Sequence, residues 1–222
     1  MDDLIAQKFF FAYCLNDITQ ETDVVTASSI TAEYSDSAAC YDINADHCSS
    51  LQSFLDIVRP QLEGRSGLVI VDAACGTGAA GVHLRPHASS LIGVDISDAM
   101  VDIARGKGLY DLLIVGDMVG SMADLSDVDL IICSGSTYYL NDLTGFFAAT
   151  TRALRLGGQL IFNDFPAPPG SGTMITKGGT RRFCRSEDLI RRLATEVGLH
   201  EISSVTIATY NLPCRCWAFK RD

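Results

Sequence analysis

Five short apolar runs, separated by segments with helical patterns, constrain the fold of this chain more than any other feature. They span residues 67–74, 90–97, 110–117, 127–134 and 159–164. Each run is apolar at nearly every position, which is typical of strands buried on both faces of a sheet. Strands that alternate with helices favour a parallel sheet with crossovers on both sides. The sequence therefore predicts a doubly wound, Rossmann-like α/β fold over residues 64–222.

The first 63 residues are predicted to form an N-terminal helical lid or cap over that sheet. Residues 1–15 have the periodicity of an amphipathic helix with an aromatic face. Residues 16–37 are rich in Thr, Ser and Asp, which favours a loop or lid. A second helix is predicted from about residue 38 to residue 58, ending before Pro60 because proline disfavours helical backbone in the residue before it.

The C-terminal part of the chain is predicted to complete the sheet. Residues 165–185 are rich in Pro and Gly and fit an excursion with a small hairpin. Ser186 suits the start of a helix that runs to Val197. Two β-rich runs, 200–210 and 214–220, are predicted to form a hairpin at the sheet edge. Together with the five apolar runs, this hairpin gives a seven-stranded sheet.

Composition and charge limit the partners that this chain can have. The formal net charge is −10 at pH 7, so a nucleic acid is disfavoured by repulsion of its phosphates. No apolar stretch is long enough to cross a bilayer, and the N-terminus does not resemble a signal peptide, so we expect a cytoplasmic protein. The eight cysteines form no C-x-x-C pair, and the four histidines do not converge in sequence. No metal site is predicted.

A glycine-containing loop follows the first strand and predicts a ligand site. The segment from Asp72 to Gly78 reads D-A-A-C-G-T-G. Glycine lets backbone approach a ligand closely where a Cβ would block it. Asp95 ends the second strand, where a carboxylate can accept hydrogen bonds from both hydroxyls of a ribose. The pattern Gly76-x-Gly78-x-x-Gly81 also matches a nicotinamide dinucleotide loop, so spacing alone does not choose between nucleoside cofactors.

The full string from Asp72 to Gly78 resembles the first motif of class I S-adenosylmethionine-dependent methyltransferases, with Ala74 in place of a glycine. Asp95-Ile96-Ser97, Gly116-Asp117-Met118 and the turn at 154–158 are similar to later motifs of that family. The resemblance extends over residues 67–164, and it implies the class I methyltransferase fold and S-adenosylmethionine as the cofactor.

The resemblance also implies individual roles in cofactor binding. Ile96 and Met118 would pack against the adenine ring, Asp117 would accept a hydrogen bond from its amino group, and Tyr34 or Tyr41 would lie at the methionine end. The cofactor-binding residues that it implies are Tyr34, Asp72, Ala74, Gly76, Gly78, Asp95, Ile96, Asp117, Met118 and Ser134.

Candidate catalytic residues follow the fourth and fifth strands, at the sheet edge where the reacting group is expected. Tyr138 and Tyr139 can surround a cation with π faces and hydroxyls. Asn163 and Asp164 end the fifth strand, and Asp164 or a tyrosine could act as a base. The segment after the fourth strand lacks the D/N-P-P-Y/F sequence of enzymes that methylate nucleobase nitrogens, which disfavours DNA methylation.

Three functions remain open from the sequence. The first is methyl transfer to a small molecule, with residues 1–63 and 165–185 shaping the acceptor pocket. The second is cyclisation, in which the amine of S-adenosylmethionine attacks its own γ-carbon and releases methylthioadenosine, as azetidine-2-carboxylate synthases do on a methyltransferase-like scaffold. The third is a non-catalytic module that binds the cofactor. The expected partner is a small molecule, or none beyond the cofactor, and no oligomeric state is predicted.

Overall fold

The computed structural model describes residues 26–167, 173–175 and 181–222, and the helix predicted over residues 1–15 lies outside them. An N-terminal helix α1 (Ala27–Ser37) leads through a 3₁₀ helix (Ala38–Ile43) into α2 (Ala45–Leu62). The alternating region that follows contains β1 (Leu68–Ala73), α3 (Gly81–Leu84), β2 (Ala88–Asp95), α4 (Asp98–Lys107), β3 (Leu112–Val115), α5 (Met118–Ala123) and β4 (Val128–Cys133). The remaining elements are α6 (Thr144–Ala153), β5 (Leu154–Asp164), β6 (Thr173–Ile175), β7 (Arg181–Phe183), α7 (Glu187–Glu196), β8 (Leu199–Thr209) and β9 (Leu212–Arg221).

Seven strands form one sheet in the order β3-β2-β1-β4-β5-β9-β8. The first five are parallel, β9 is antiparallel to β5, and β8 pairs with β9 at the edge. The strand order reverses between β1 and β4, and ligands of open α/β sheets bind at such a point, outside the carboxyl ends of the strands. The predicted seven-stranded, doubly wound fold and its terminal hairpin are confirmed.

Apolar side chains fill both faces of the sheet. On one face, Phe54 and Val58 of α2 pack over β1 and β4. On the other face, Phe146 and Phe147 of α6 are fully buried together with Trp217 of β9. Burial on both faces explains why the parallel strands are apolar at nearly every position.

Two predictions about the N-terminal segment are wrong. Residues 27–37 form a helix rather than a loop, because Thr26 and Ser29 make reciprocal capping hydrogen bonds at its start. The second helix does not end before Pro60 but continues to Leu62. Val58 and Leu62 are both buried in the core, so packing outweighs the local preference against helix before proline.

Candidate functional site

The loop between β1 and α3 has an unusual backbone. Ala74, Gly76 and Gly78 all have positive φ angles, of 64°, 54° and 79°. This left-handed conformation is easy for glycine and strained for alanine, because the alanine Cβ crowds the following carbonyl. A Cβ at Gly76 would meet no other atom within 4 Å, so open space lies beside that residue.

Gly78 leaves room for a side chain behind the glycine loop. It lines neither cavity described below, and a Cβ there would lie 2.8 Å from Cε2 of Tyr110. A Cβ at Gly81 would lie 2.7 Å from the Tyr110 hydroxyl. These two glycines therefore leave room for the tyrosine ring behind the loop, and a contact of Gly78 with the cofactor stays a prediction.

Asp95 is held in place by backbone hydrogen bonds. Its two carboxylate oxygens accept from the amide of Gly76 at 2.7 Å and from the amide of Ser97 at 2.9 Å. Burial raises the pKa of Asp95, and the hydrogen bonds from these amides oppose that effect. The carboxylate is thereby fixed at the end of β2.

A first cavity opens beside Asp95 at the carboxyl ends of β2 and β4. Its lining combines acidic, aliphatic and aromatic side chains with loop backbone: Ile30, Tyr34, Tyr41, Ala74, Gly76, Asp95, Ile96, Gly116, Asp117, Met118, Ser134, Ser136, Tyr139 and Leu140. Eight of the predicted cofactor residues lie in this wall. Asp72 and Gly78 do not.

Asp117 has a structural role in addition to its place in the first cavity. It is the N-cap of α5, and its two oxygens accept hydrogen bonds from the amides of Val119 at 3.0 Å and Gly120 at 2.8 Å. A carboxylate oxygen can accept a second hydrogen bond, so its predicted contact with an adenine amino group stays a prediction.

A second cavity adjoins the first. The two linings share Tyr41, Ala74, Gly76 and Ser134, which form a common wall. The rest of the second cavity is lined by residues of the first 3₁₀ helix, α2, the glycine loop, α3, α4, the segment after β4, the ends of β1, β5 and β8 and the β8–β9 turn: Asp42, His47, Cys48, Ser50, Leu51, Asp72, Cys75, Thr77, Ala79, Ala80, Val82, Lys107, Gly135, Asn163, Thr209 and Tyr210. A ligand lying across the common wall would contact both cavities.

Asp72 lies at the floor of the second cavity and is almost completely buried. Burial raises its pKa to about 7, although the hydroxyl of Tyr110 donates a hydrogen bond to it at 2.7 Å and opposes the rise. A carboxylate in such a place favours a cationic ligand, because a positive charge offsets the loss of hydration.

The N-terminal segment is tied directly to the glycine loop. Asp42 accepts a hydrogen bond from the hydroxyl of Thr77 at 2.5 Å and forms an ion pair with Lys107 at 2.6 Å. These bonds lower the pKa of Asp42 against the effect of its partial burial. These two contacts of Asp42 hold the preceding residue, Tyr41, in the common wall of the two cavities.

The tyrosine pair after β4 surrounds a cation, and that cation belongs to the protein itself. Arg182 of β7 places its guanidinium carbon 4.9 Å from the ring centre of Tyr138 and 5.6 Å from that of Tyr139. Tyr138 is fully buried and lines neither cavity, so its predicted direct role is not supported. Tyr139 faces the first cavity, and its hydroxyl is hydrogen-bonded to that of Tyr34 at 2.9 Å.

The two residues that end β5 differ in what they can do. Asn163 lines the second cavity, where its Oδ1 accepts from the amide of Gly135 at 2.7 Å. Asp164 lines neither cavity and is paired with the buried Arg185 at 2.7 Å. Burial raises the pKa of Asp164 to about 6, and the pairing with Arg185 opposes this rise. Asp164 thus forms a buried ion pair away from both cavities, and its role as a base stays a prediction.

His47 and Tyr210 are among the residues of the second cavity that sequence reasoning missed. Nδ1 of His47 lies 2.9 Å from the Tyr210 hydroxyl, and its ring stacks on Tyr41 with 3.9 Å between ring centres. Tyr210 sits at the two-residue turn between β8 and β9 with a φ of 50°, which is unusual for an aromatic residue. The only sequence signal was a tyrosine in place of a turn glycine.

Among the described residues, no group of three or more His, Cys, Asp or Glu side chains is placed to share a metal ion. No helix in the described ranges combines the length and hydropathy that a bilayer crossing requires.

Comparison with known proteins relates residues 71–162 to a family model described as a methyltransferase domain. The chain is 29% identical over 140 residues to a malonyl-[acyl-carrier protein] O-methyltransferase of Yersinia pestis, which covers 63% of this chain and 51% of the relative. It is 25% identical over 129 residues to a ubiquinone biosynthesis O-methyltransferase of Xanthomonas oryzae, covering 56% of this chain and 54% of the relative. The chain thus matches about half the length of these relatives.

Solved structures share the fold at low sequence identity. The magnesium protoporphyrin IX methyltransferase of Synechocystis, crystallised with S-adenosylhomocysteine, superposes with a TM-score of 0.70 at 18% identity, over 88% of this chain and 99% of that one. An N-methyltransferase of Bradyrhizobium japonicum, also bound to S-adenosylhomocysteine, gives a TM-score of 0.68 at 19% identity, over 90% and 99% of the two chains. At such identities the likeness establishes the fold alone.

Proposed function

We propose that this chain, which belongs to the class I S-adenosylmethionine-dependent methyltransferases, transfers the methyl group of that cofactor to a small organic acceptor. The observation that carries the proposal is the wall shared by the two cavities. Ala74, Gly76 and Ser134, at the ends of β1 and β4, and Tyr41 above them border both spaces. A cofactor and an acceptor that enter from opposite sides would meet there.

The residues of the first cavity fit the nucleoside part of S-adenosylmethionine. Asp95 offers a fixed carboxylate for the two ribose hydroxyls, and Ile96 and Met118 offer apolar contacts for a flat base. Asp72 offers a buried negative charge to the amino group at the other end. When bound, the cofactor supplies an electrophilic methyl group on a sulfonium, so the protein's own contribution is orientation, exclusion of water and removal of a proton.

His47 and Tyr210 are our candidates for proton removal. The Tyr210 hydroxyl can take a proton from an acceptor in the second cavity while it passes its own proton to Nδ1 of His47, 2.9 Å away. Partial burial lowers the pKa of His47, and the charge of Arg182 acts in the same direction against that of Asp46. The imidazole is therefore neutral near pH 7 and able to accept the proton.

The acceptor is not defined by the relatives, since the two curated ones are named for different substrates. Neither they nor the two solved structures described above are named as cyclases or as binding modules. We therefore propose methyl transfer rather than cyclisation, with residues 26–63 forming one wall of the acceptor site.

Mass spectrometry of the purified chain with S-adenosylmethionine tests the proposal. We expect the cofactor to bind and to stay intact alone, and to give S-adenosylhomocysteine and a methylated product when a panel of small hydroxyl, amine and carboxyl compounds is added. Methylthioadenosine formed without any acceptor would contradict methyl transfer in favour of cyclisation. Asp98→Asn, an exposed change on α4, serves as a matched control for Asp95→Asn, which should weaken cofactor binding selectively.

A further inference from the structure

An arginine without a carboxylate partner lies behind the tyrosines that line both cavities. Arg182 is 9% exposed, and none of the ion pairs between described residues includes its guanidinium. Its Nε has no hydrogen-bond partner there, and Nη2 makes one long bond of 3.4 Å to the hydroxyl of Tyr139. A guanidinium has five donors that suit a carboxylate, so this group is far from satisfied.

Aromatic rings occupy the space that a counter-ion would otherwise fill. Beyond Tyr138 and Tyr139, the guanidinium carbon lies 5.1 Å from the ring centre of Tyr210 and 5.9 Å from that of Phe165. Cation–π contacts offset only part of the cost of removing a charge from water. The positive field of Arg182 therefore extends through these rings into the adjoining cavities.

The hydroxyls in front of Arg182 are arranged to donate. Tyr34 and Tyr139 share one hydrogen bond of 2.9 Å, which uses one of their two hydroxyl protons in either direction. The other proton remains available to a ligand, because arginine can only donate to these oxygens. Both tyrosines line the first cavity, and Tyr210 lines the second. Together, Tyr34, Tyr138, Tyr139, Arg182 and Tyr210 form what we term the tyrosine–arginine cluster.

The other charged groups at the cavities are not suited to bind a carboxylate. Lys107, a cation in the lining of the second cavity, is paired with Asp42 at 2.6 Å. Asp72 and Asp95 suit the cationic and hydroxyl groups of a cofactor. Arg182 lines neither cavity but lies behind Tyr139 and Tyr210, and among the described residues it forms no ion pair.

We propose that the acceptor carries a carboxylate, and that this carboxylate binds at the cavity face of the tyrosine–arginine cluster, hydrogen-bonded to the hydroxyls of Tyr139 and Tyr210 and charge-balanced by Arg182 behind their rings. This inference rests on the proposed function, since it assigns the acceptor's chemical class. A carboxylate is favoured over a cationic acceptor because Arg182 already fills the cage that the tyrosines form.

Calorimetric titration of the full chain tests the inference with defined probes. The protein is first saturated with S-adenosylhomocysteine and then titrated with benzoate, with the neutral benzamide and with phenyl phosphate. We expect benzoate to bind saturably and at least tenfold more tightly than benzamide. Equal binding of the two, or no saturable benzoate binding, would overturn the inference, as would a preference for phenyl phosphate over benzoate.

Variants separate the acceptor's carboxylate from that of the cofactor. Arg182→Gln should weaken benzoate binding at least tenfold and leave the affinity for S-adenosylhomocysteine within about threefold of the original. Arg59→Gln, an exposed change on α2, removes the same charge and should alter neither affinity. A tenfold loss of S-adenosylhomocysteine binding in Arg182→Gln would assign the arginine to the cofactor instead and overturn the inference.

Two further outcomes remain distinguishable. If Arg182→Gln does not fold, Tyr139→Phe is tested instead, because this variant removes one hydroxyl and keeps the ring. Tyr139→Phe should weaken benzoate binding several-fold. Unchanged benzoate binding would overturn the inference. If S-adenosylhomocysteine itself does not bind to the unaltered chain, the proposed function fails. Cofactor binding without discrimination between benzoate and benzamide overturns only the present inference.

Discussion

The hydroxyl of Tyr110 donates a hydrogen bond to Asp72 at 2.7 Å, directly behind the loop that forms the common wall of the two cavities. The tyrosine reaches this position because Gly78, Gly81 and Gly93 have no Cβ to obstruct its ring. The ring thus supports the loop from below, and the hydroxyl acts on the one carboxylate at the floor of the second cavity.

Replacing Tyr110 by Phe should destabilise the protein and raise the pKa of Asp72 above its value of about 7. The hydrogen bond lowers that pKa, so its loss leaves burial unopposed. A hydrogen bond to a charged or partly charged group contributes about 1.5–3 kcal/mol, and we expect a loss of that order in the free energy of unfolding. Denaturant unfolding at pH 8, where Asp72 is ionised, measures it. An unchanged free energy of unfolding would show that the bond makes no net contribution.

Asp72 should make the stability of the unliganded protein fall as pH rises from about 4 to 7. Its pKa is about 7 in the folded chain against 3.8 in the unfolded one. The folded state therefore binds more protons than the unfolded state across this range, and the free energy of unfolding decreases with increasing pH. Asp72→Asn should flatten this slope relative to the unaltered chain in unfolding experiments at several pH values. Equal slopes for the two proteins would contradict the raised pKa.

The sheet was predictable from sequence because burial on both faces leaves a strong local signal in each strand. The predicted run at 127–134 and the strand Val128–Cys133 agree closely, and every residue of that strand is buried. The helix Ala27–Ser37 was missed because its composition is polar and its stability depends on a capping box and on packing against α4.

Most of the predicted residues that line the first cavity lie at strand ends or in the loops that follow them. Asp95 ends β2 and Ile96 follows it directly, so the fold fixes their place. His47, Arg182 and Tyr210 come from α2, β7 and the β8–β9 turn, and only tertiary contacts bring them together. No local pattern in the sequence encodes that convergence.

Asp95→Asn should weaken binding of S-adenosylhomocysteine by about 10- to 100-fold. Two backbone amides fix the carboxylate of Asp95 by hydrogen bonds. The neutral asparagine side chain loses the charge-assisted bonds to the ribose hydroxyls, and its NH₂ group would face the backbone N–H of Gly76 or Ser97. Calorimetry on both proteins measures the change. An affinity equal to that of Asp98→Asn would show that the ribose binds elsewhere.

Ala74→Gly should stabilise the protein by up to about 1 kcal/mol. The left-handed backbone at Ala74 costs about 1–2 kcal/mol for an L-residue, and glycine removes this cost. Glycine also has a larger conformational entropy in the unfolded chain, which opposes the stabilisation by about 0.5–1 kcal/mol. Ala73→Gly is the matched control: Ala73 is a buried strand residue, and its loss should lower the free energy of unfolding. Destabilisation by both changes to a similar extent would indicate that Ala74 carries no backbone strain.

Asp164→Asn should destabilise the fold by about 3–5 kcal/mol without affecting the cofactor. Asp164 and Arg185 are both buried and lie 2.7 Å apart, so the neutral amide leaves the arginine charge without its partner. Glu187→Gln breaks an exposed pair with Arg191 and should cost no more than about 1 kcal/mol. Binding of S-adenosylhomocysteine at a temperature where the variant is still folded should equal that of the unaltered chain, because Asp164 lines neither cavity. A selective loss of binding with unchanged stability would instead return Asp164 to the reacting site.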